Sequence, residues 1–340
     1  PENSPFKWTS KLSSLEGTID VITDKMSETQ LLRVALTFLA FKASKWTSQR
    51  TYMPMALMTP LKNLHLFGTL SRHMFQEQAL AIPTLFDALR QRSIPFRVLS
   101  ESEMRDSEIF KEAICVDQDA RLVFVQLGEL DIVGHAKGPN SKEVKQSLRT
   151  IDTRVQRIVE EHRSNFRTDI FIFSDHGMVE VKNTVDILSE LRRSGLKEGQ
   201  DFITFLDSTL ARFWTLKPGV KEQMLKALPA INGGRILSVD DMKLYQIPAD
   251  RRYGDVIWLA DPGTLILPNY YQGSKLVHGM HGYAPEAEGL RTPFIICSED
   301  AEPRRVMQIA TPMDIFTTIA ALLDIEVPWP VEGRLLISLP

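Results

Sequence analysis

The chain has 340 residues, 43% hydrophobic and 24% charged, with a formal net charge of −3 and a pI of about 6.2. This is ordinary globular composition, long enough for one large domain carrying an insertion or for two domains. Basic residues are scattered without runs or aromatic interleaving, which excludes a nucleic-acid polymer surface as the main business of the chain.

Residues 1–82 are the least legible. The chain opens on "PENSPFKW", and the apolar spacing predicts a helix near Glu28 to Lys42. From residue 83 the pattern clears. "PTLFDALRQRS" reads as a helix with proline in its first turn, and Pro95 to Leu99 as a short strand. Arg121 to Leu127, "RLVFVQL", is a continuous apolar run of strand length, as in a strand covered on both faces. A long helix follows, capped by Asn140, with Val144, Leu148, Ile151, Val155, Ile158 and Val159 on one stripe. Asp169 to Phe173, "DIFIF", is another buried-strand run, and Asn183 to Arg193 reads as a helix ended by Gly195.

Residues 200–270 change character, with short strands, turns and a helix over Val220 to Leu228, and are expected to form a small α+β cap. "RTPFIIC" then reads as a strand. Thr311, Pro312 and Asp314 open the helix "MDIFTTIAALL" with a cap, a first-turn proline and an acid. Buried strands alternating with amphipathic helices predict an α/β fold with a largely parallel sheet sandwiched by helices. The expected divisions are a helical segment 1–82, a core of 83–199 and 271–340, and the cap between them.

Cys115 and Cys297 end apolar runs and belong to no CxxC pair, so both are expected to be buried structural thiols. No window reaches the roughly 18 apolar residues of a membrane helix, and no basic-then-apolar leader is visible. The expected compartment is cytoplasmic, with periplasmic or secreted as the alternative should a leader precede Pro1.

The chemistry lies in three short stretches: "QLGELDIVGHAKGP" with Asp131 and His135, "FSDHGM" with Asp175 and His176, and "HGMHGY" with His278 and His281. Two of them follow predicted strands, where open α/β sheets bind ligands. Imidazole and carboxylate are zinc-type donors. Asp131 and His135, four apart, share a helix face. Asp175 and His176 are adjacent and point to opposite sides of an extended segment, which suits two neighbouring ions. Spacing alone leaves each pair open between a metal-ligand pair and an ordinary polar contact. Four of the seven histidines nevertheless fall in these stretches.

In this order, "GELDIVGHAKGP", "FIFSDHGM" and "HGMHGY", with the closing "ATPMDIFTTIAALLDIEVPWPVEG", resemble the nucleotide pyrophosphatase/phosphodiesterase branch of the alkaline phosphatase superfamily. The likeness runs from about Pro83 to Gly333. It implies two zinc ions, one held by Asp131, His135 and His281 and the other by Asp175 and His176. The family completes the second ion with an aspartate ending the first strand and a threonine or serine nucleophile. Neither is evident here, Thr59 being the best internal imitation, so the chain is expected to lack the family's N-terminal part and to turn over little by itself.

For the complete enzyme the resemblance implies two-step phosphoryl transfer through a covalent phospho-enzyme, acting on a small phosphodiester or nucleotide. The alternatives are a phosphomonoesterase or phosphonate hydrolase of the same superfamily, and a catalytically silent metal-binding domain. Phe213, Trp214, Tyr270 and Tyr271 are open between stacking a nucleobase and packing within the cap. Oligomeric state is not legible.

Overall fold

The computed structural model describes residues 75, 82–115, 119–298, 309–326 and 331–336. The expected helix near Glu28 to Lys42 and Thr59 lie outside them. The chain is α/β and divides into two compact units: unit I comprises Arg72–Gly177 and Arg291–Pro340, and unit II comprises Pro1–Ser71 and Met178–Leu290.

In unit I the elements run α1 (Leu85–Gln91), β1 (Phe96–Ser100), α2 (Asp106–Ile114), β2 (Leu122–Gln126), α3 (Glu129–Lys137), α4 (Lys142–Asn165) and β3 (Ile170–Phe173). Thr84 and Asp87 close a capping box at the start of α1. β1 and β2 pair in parallel, Phe96 opposite Leu122 and Ser100 opposite Gln126, as a strand–helix–strand unit requires. Leu99, Ile109 and Ala113 are buried, with Val123 and Ile158 packed against them. Full burial of Leu99 and of Ile109 contributes roughly 1.5–3 kcal/mol each.

The cap of α4 is Ser141 and not Asn140. The Ser141 hydroxyl accepts the N–H of Val144 at 3.2 Å. Both residue types cap well, and the helix starts one residue later than Asn140 would allow.

The unit ends with β12 (Phe294–Cys297) and α8 (Pro312–Leu322). β12 runs antiparallel to β3, with Phe294 opposite Phe173. α8 has the predicted cap, with Thr311 and Asp314 in a capping box and proline in the first turn. The segment 331–336 docks on it: Arg334 N–H donates to Asp314 at 2.8 Å and Leu336 N–H to the Thr318 hydroxyl at 3.1 Å. A Cβ on Gly333 would stand 2.1 Å from the Met313 carbonyl oxygen, so only glycine permits this approach.

Unit II contains β4 (Val179–Glu180), β5 (Asn183–Val185), α5 (Ile187–Arg193), β6 (Phe202–Leu206), β7 (Leu210–Thr215), α6 (Val220–Ala227), β8 (Gly234–Ile236), α7 (Val239–Leu244), β9 (Val256–Ala260), β10 (Thr264–Ile266) and β11 (Gly279–Met280). A four-stranded sheet of order β6-β7-β9-β8 is antiparallel throughout. β5 and β10 pair in parallel. The expected helix from Asn183 therefore begins four residues late. Asn183 to Val185 are claimed by the ladder to Thr264–Ile266, and Asp186 caps α5 by accepting the Ser189 N–H at 2.9 Å.

Phe213 and Tyr270 are 0% and 1% exposed and belong to the core of unit II, with Trp258 and Leu265. Packing, not stacking on a ligand, is their role. Tyr271 is exposed, and Trp214 donates its indole N–H to the Arg251 carbonyl at 2.6 Å. The thiols depart from expectation. Cys115 is exposed and Cys297 half-buried. Cys115 stands at the C-cap of α2, past the last buried residue of that helix, Ala113.

Candidate metal centre

Three carboxyl ends of strands in unit I carry acids. Glu101 directly follows β1 and closes the β1–β2 ladder, its N–H donating to the Gln126 carbonyl at 3.2 Å. Asp131 lies on α3, which starts three residues after the end of β2. Asp175 is the second residue after β3.

α3 is aimed by Asp106. This buried carboxylate accepts the N–H of Gly128 at 3.1 Å and of Glu129 at 3.0 Å. It thus satisfies two of the donors that every helix N-terminus leaves open and adds a favourable charge there. A Cβ at Gly128 would fall 1.3 Å from a Glu101 carboxylate oxygen, so glycine is what lets that carboxylate lie over the start of α3.

One turn into α3, His135 Nε2 stands 3.4 Å from Asp131 Oδ1. Both residues are half-buried. The next strand end is arranged locally. His176 Nδ1 is 3.0 Å from the Gly177 carbonyl, which can only accept, so Nδ1 carries a proton. That Nε2 stands 3.5 Å from Asp175 Oδ2. Asp175 Oδ1 accepts the His176 N–H at 3.0 Å, and Ser174 donates its hydroxyl to the His176 carbonyl at 2.8 Å. Thr292, beside β12, donates to the Ser174 carbonyl at 3.2 Å.

The electrostatics tie the strand ends together. Partial burial of its carboxyl, and then the charges of Asp106, Asp131 and Asp175, push the pKa of Glu101 upward. Asp131 and Asp175, 44 positions apart, therefore act on one carboxyl. Carboxylates crowded in this way, with two imidazoles beside them, offer the nitrogen and oxygen donors that suit a divalent cation.

His281 belongs to unit II, on the loop that follows β11. β11 pairs with β4, Gly279 opposite Glu180, and the Val181 N–H donates to the His278 carbonyl at 2.9 Å. Gly282 has φ of +85°, a conformation that glycine adopts without strain. Its carbonyl accepts the Thr209 hydroxyl at 2.7 Å. His281 is half-buried and His278 exposed.

The structure thus brings Asp131 to His135 on α3 and Asp175 to His176 after β3, both pairs in unit I, and places His281 on a loop of unit II. Glu101 and Asp106 were missed in the sequence. The signal was present for Glu101, since "RVLSES" puts an acid directly after a predicted strand. Asp106 gave none, because its partner amides lie 22 and 23 positions away.

The family model described as Type I phosphodiesterase / nucleotide pyrophosphatase matches residues 28–284. The chain belongs to this family. Murine ectonucleotide pyrophosphatase/phosphodiesterase family member 7 is 27% identical over 251 residues, 72% of this chain and 56% of its own. The human member 7 is 32% identical over 107 residues, 31% of this chain and 23% of its own. The chain thus spans about half, or less, of these relatives' lengths. Among solved structures, human ectonucleotide pyrophosphatase/phosphodiesterase 5 superposes with a TM-score of 0.62 at 16% identity, over 73% of this chain and 71% of its own. Its murine counterpart, an inactive variant in complex with AMP, gives 0.61 at 15%, with the same coverage of both chains. These likenesses establish the alkaline phosphatase-like α/β fold.

Proposed function

We propose that the chain carries the metal centre of a phosphodiesterase or nucleotide pyrophosphatase that hydrolyses a small phosphodiester or nucleotide with two divalent ions, zinc being the best match to the donors. We assign Asp131, His135 and His281 to one ion and Asp175 and His176 to the second, the order of the three motifs in a chain of this family being what supports the assignment. The observation that carries the reading is His135 Nε2 standing 3.4 Å from Asp131 Oδ1 on the helix that follows β2. Family membership supplies the reaction class. The AMP held by the murine type 5 structure favours a nucleotide-like ligand.

Zinc bound here would supply Lewis-acid polarisation of phosphoryl oxygens and neutralisation of developing charge. The protein's own part is positional. Asp106 fixes the start of α3, and with it the direction in which Asp131 and His135 project. The Gly177 carbonyl holds the His176 ring with its Nε2 towards Asp175. The hydroxyl nucleophile is given no residue, Thr59 lying outside the described structure.

Zinc-dependent hydrolysis of an aryl phosphodiester tests the reading. The natural polypeptide containing these residues, stripped by chelator and reloaded with zinc, is expected to cleave bis(p-nitrophenyl) phosphate faster than p-nitrophenyl phosphate and to lose that activity on His135→Ala. Preference for the monoester would move the assignment to a phosphomonoesterase. Bound zinc without turnover of either ester would favour a silent metal-binding domain. Thr59→Ala in the same assay decides whether the nucleophile is internal.

A further inference from the structure

The turn between β6 and β7 is fixed to the rest of unit II by a set of short hydrogen bonds. Ser208 and Thr209 are 4% and 2% exposed. The Ala260 N–H donates to the Thr209 carbonyl at 2.8 Å and the Ile266 N–H to the Ser208 carbonyl at 2.9 Å. The Ser208 hydroxyl donates to Gln272 at 2.7 Å. The turn is therefore tied to β9, to β10 and to the loop after β10.

One side chain of this fixed turn reaches the loop of His281. The Thr209 hydroxyl donates to the carbonyl of Gly282, the residue after His281, at 2.7 Å. The fit is close, since a Cβ on Gly282 would stand 2.9 Å from that hydroxyl oxygen. The far part of the loop is tied separately, the Tyr245 hydroxyl donating to Glu286 at 2.7 Å. Between Met280 in β11 and Tyr283, which is 5% exposed, Thr209 supplies a side-chain bond to the backbone next to the imidazole.

We propose that Thr209 is a positioning residue for metal binding, orienting the His281 imidazole through the Gly282 carbonyl. The inference rests on the assignment of His281 as a ligand and extends it to a residue that touches neither metal nor substrate. Partners that orient a ligand from behind typically change metal affinity by roughly 10- to 100-fold.

The test measures the zinc dissociation constant of the natural polypeptide by competition with a chromophoric chelator, in parent, Thr209→Val, Thr209→Ser and Asp131→Asn proteins. Thr209→Val keeps the shape and removes the donor. Its affinity is expected to fall roughly 10- to 100-fold, and the Ser variant to return it close to the parent's. Cobalt(II) substitution adds a signature that lost stability would not move: the visible absorption of the Val variant should depart from the parent's while that of the Ser variant matches it. Parent-like zinc affinity in Thr209→Val, with a clear loss in Asp131→Asn, would overturn the role of Thr209 and leave the metal centre standing. Parent-like affinity in Asp131→Asn would overturn the metal centre itself. Should Thr209→Val fail to fold, Thr209→Ala decides, because it removes the same donor with a smaller side chain. Weakened zinc binding is the expected result there, and unchanged binding would overturn the proposal.

Discussion

His135 Nε2 lies 3.4 Å from Asp131 Oδ1, one turn further along the same nine-residue helix. Without a cation this is a solvent-screened polar pair of little energetic weight. With a divalent ion the same two groups present one oxygen and one nitrogen from a rigid element. The rigidity comes from Asp106, which holds the helix start from 22 residues away.

Zinc should therefore stabilise the protein, and Asp131→Asn should remove most of that stabilisation while leaving the zinc-depleted protein about as stable as the parent. A ligand at 100 times its dissociation constant adds about 2.7 kcal/mol. Thermal melting with and without zinc reads the difference. An equal zinc-induced rise in Tm for the variant would contradict the ligand role.

Asp106→Ala should act oppositely, lowering stability whether or not metal is present. It leaves the Gly128 and Glu129 N–H groups without their acceptor. Loss of a helix-capping carboxylate costs about 0.5–2 kcal/mol. Asp106→Asn, which keeps an acceptor oxygen, should cost less. Denaturant unfolding of the zinc-depleted proteins measures both.

The pH dependence follows from Glu101. Its folded-state pKa is raised, by partial burial first and then by Asp106, Asp131 and Asp175. The native state therefore holds this proton more tightly than the unfolded chain does. Its contribution makes stability fall as pH rises from the ordinary glutamate value of 4.5 through the raised one. Glu101→Gln should flatten that part of the profile and stabilise the metal-depleted protein at neutral pH. A profile unchanged by the substitution would contradict the crowding of these carboxylates.

Gly333→Ala tests the closing segment. The added Cβ would meet the Met313 carbonyl oxygen at 2.1 Å, so the segment must lift from α8 and weaken the Arg334 and Leu336 contacts. Overpacking of this kind costs about 1–3 kcal/mol. Chemical denaturation at fixed metal content measures it.

The sequence displayed these features unevenly. β2, β3, α4 and α8 were legible because each carries its own periodicity or cap, and the five ligand candidates because they sit just after predicted strands or in a glycine-flanked loop. Asn183 to Val185 misled, since their strand state comes from a ladder to Thr264–Ile266 and not from local preference. Phe213, in β7, and Tyr270, in the turn after β10, were ambiguous because an aromatic reads alike whether it faces a core or a ligand. Asp106 and Thr209 were invisible, because their hydrogen-bond partners lie 22 or more positions away.

Anomalous X-ray scattering at the zinc edge, from crystals of the zinc-loaded natural polypeptide, tests the metal centre most directly. The account predicts a peak bonded by Asp131, His135 and His281, with a second beside Asp175 and His176. Peaks bonded by other side chains, or none at these five residues in protein shown to carry zinc, would contradict it.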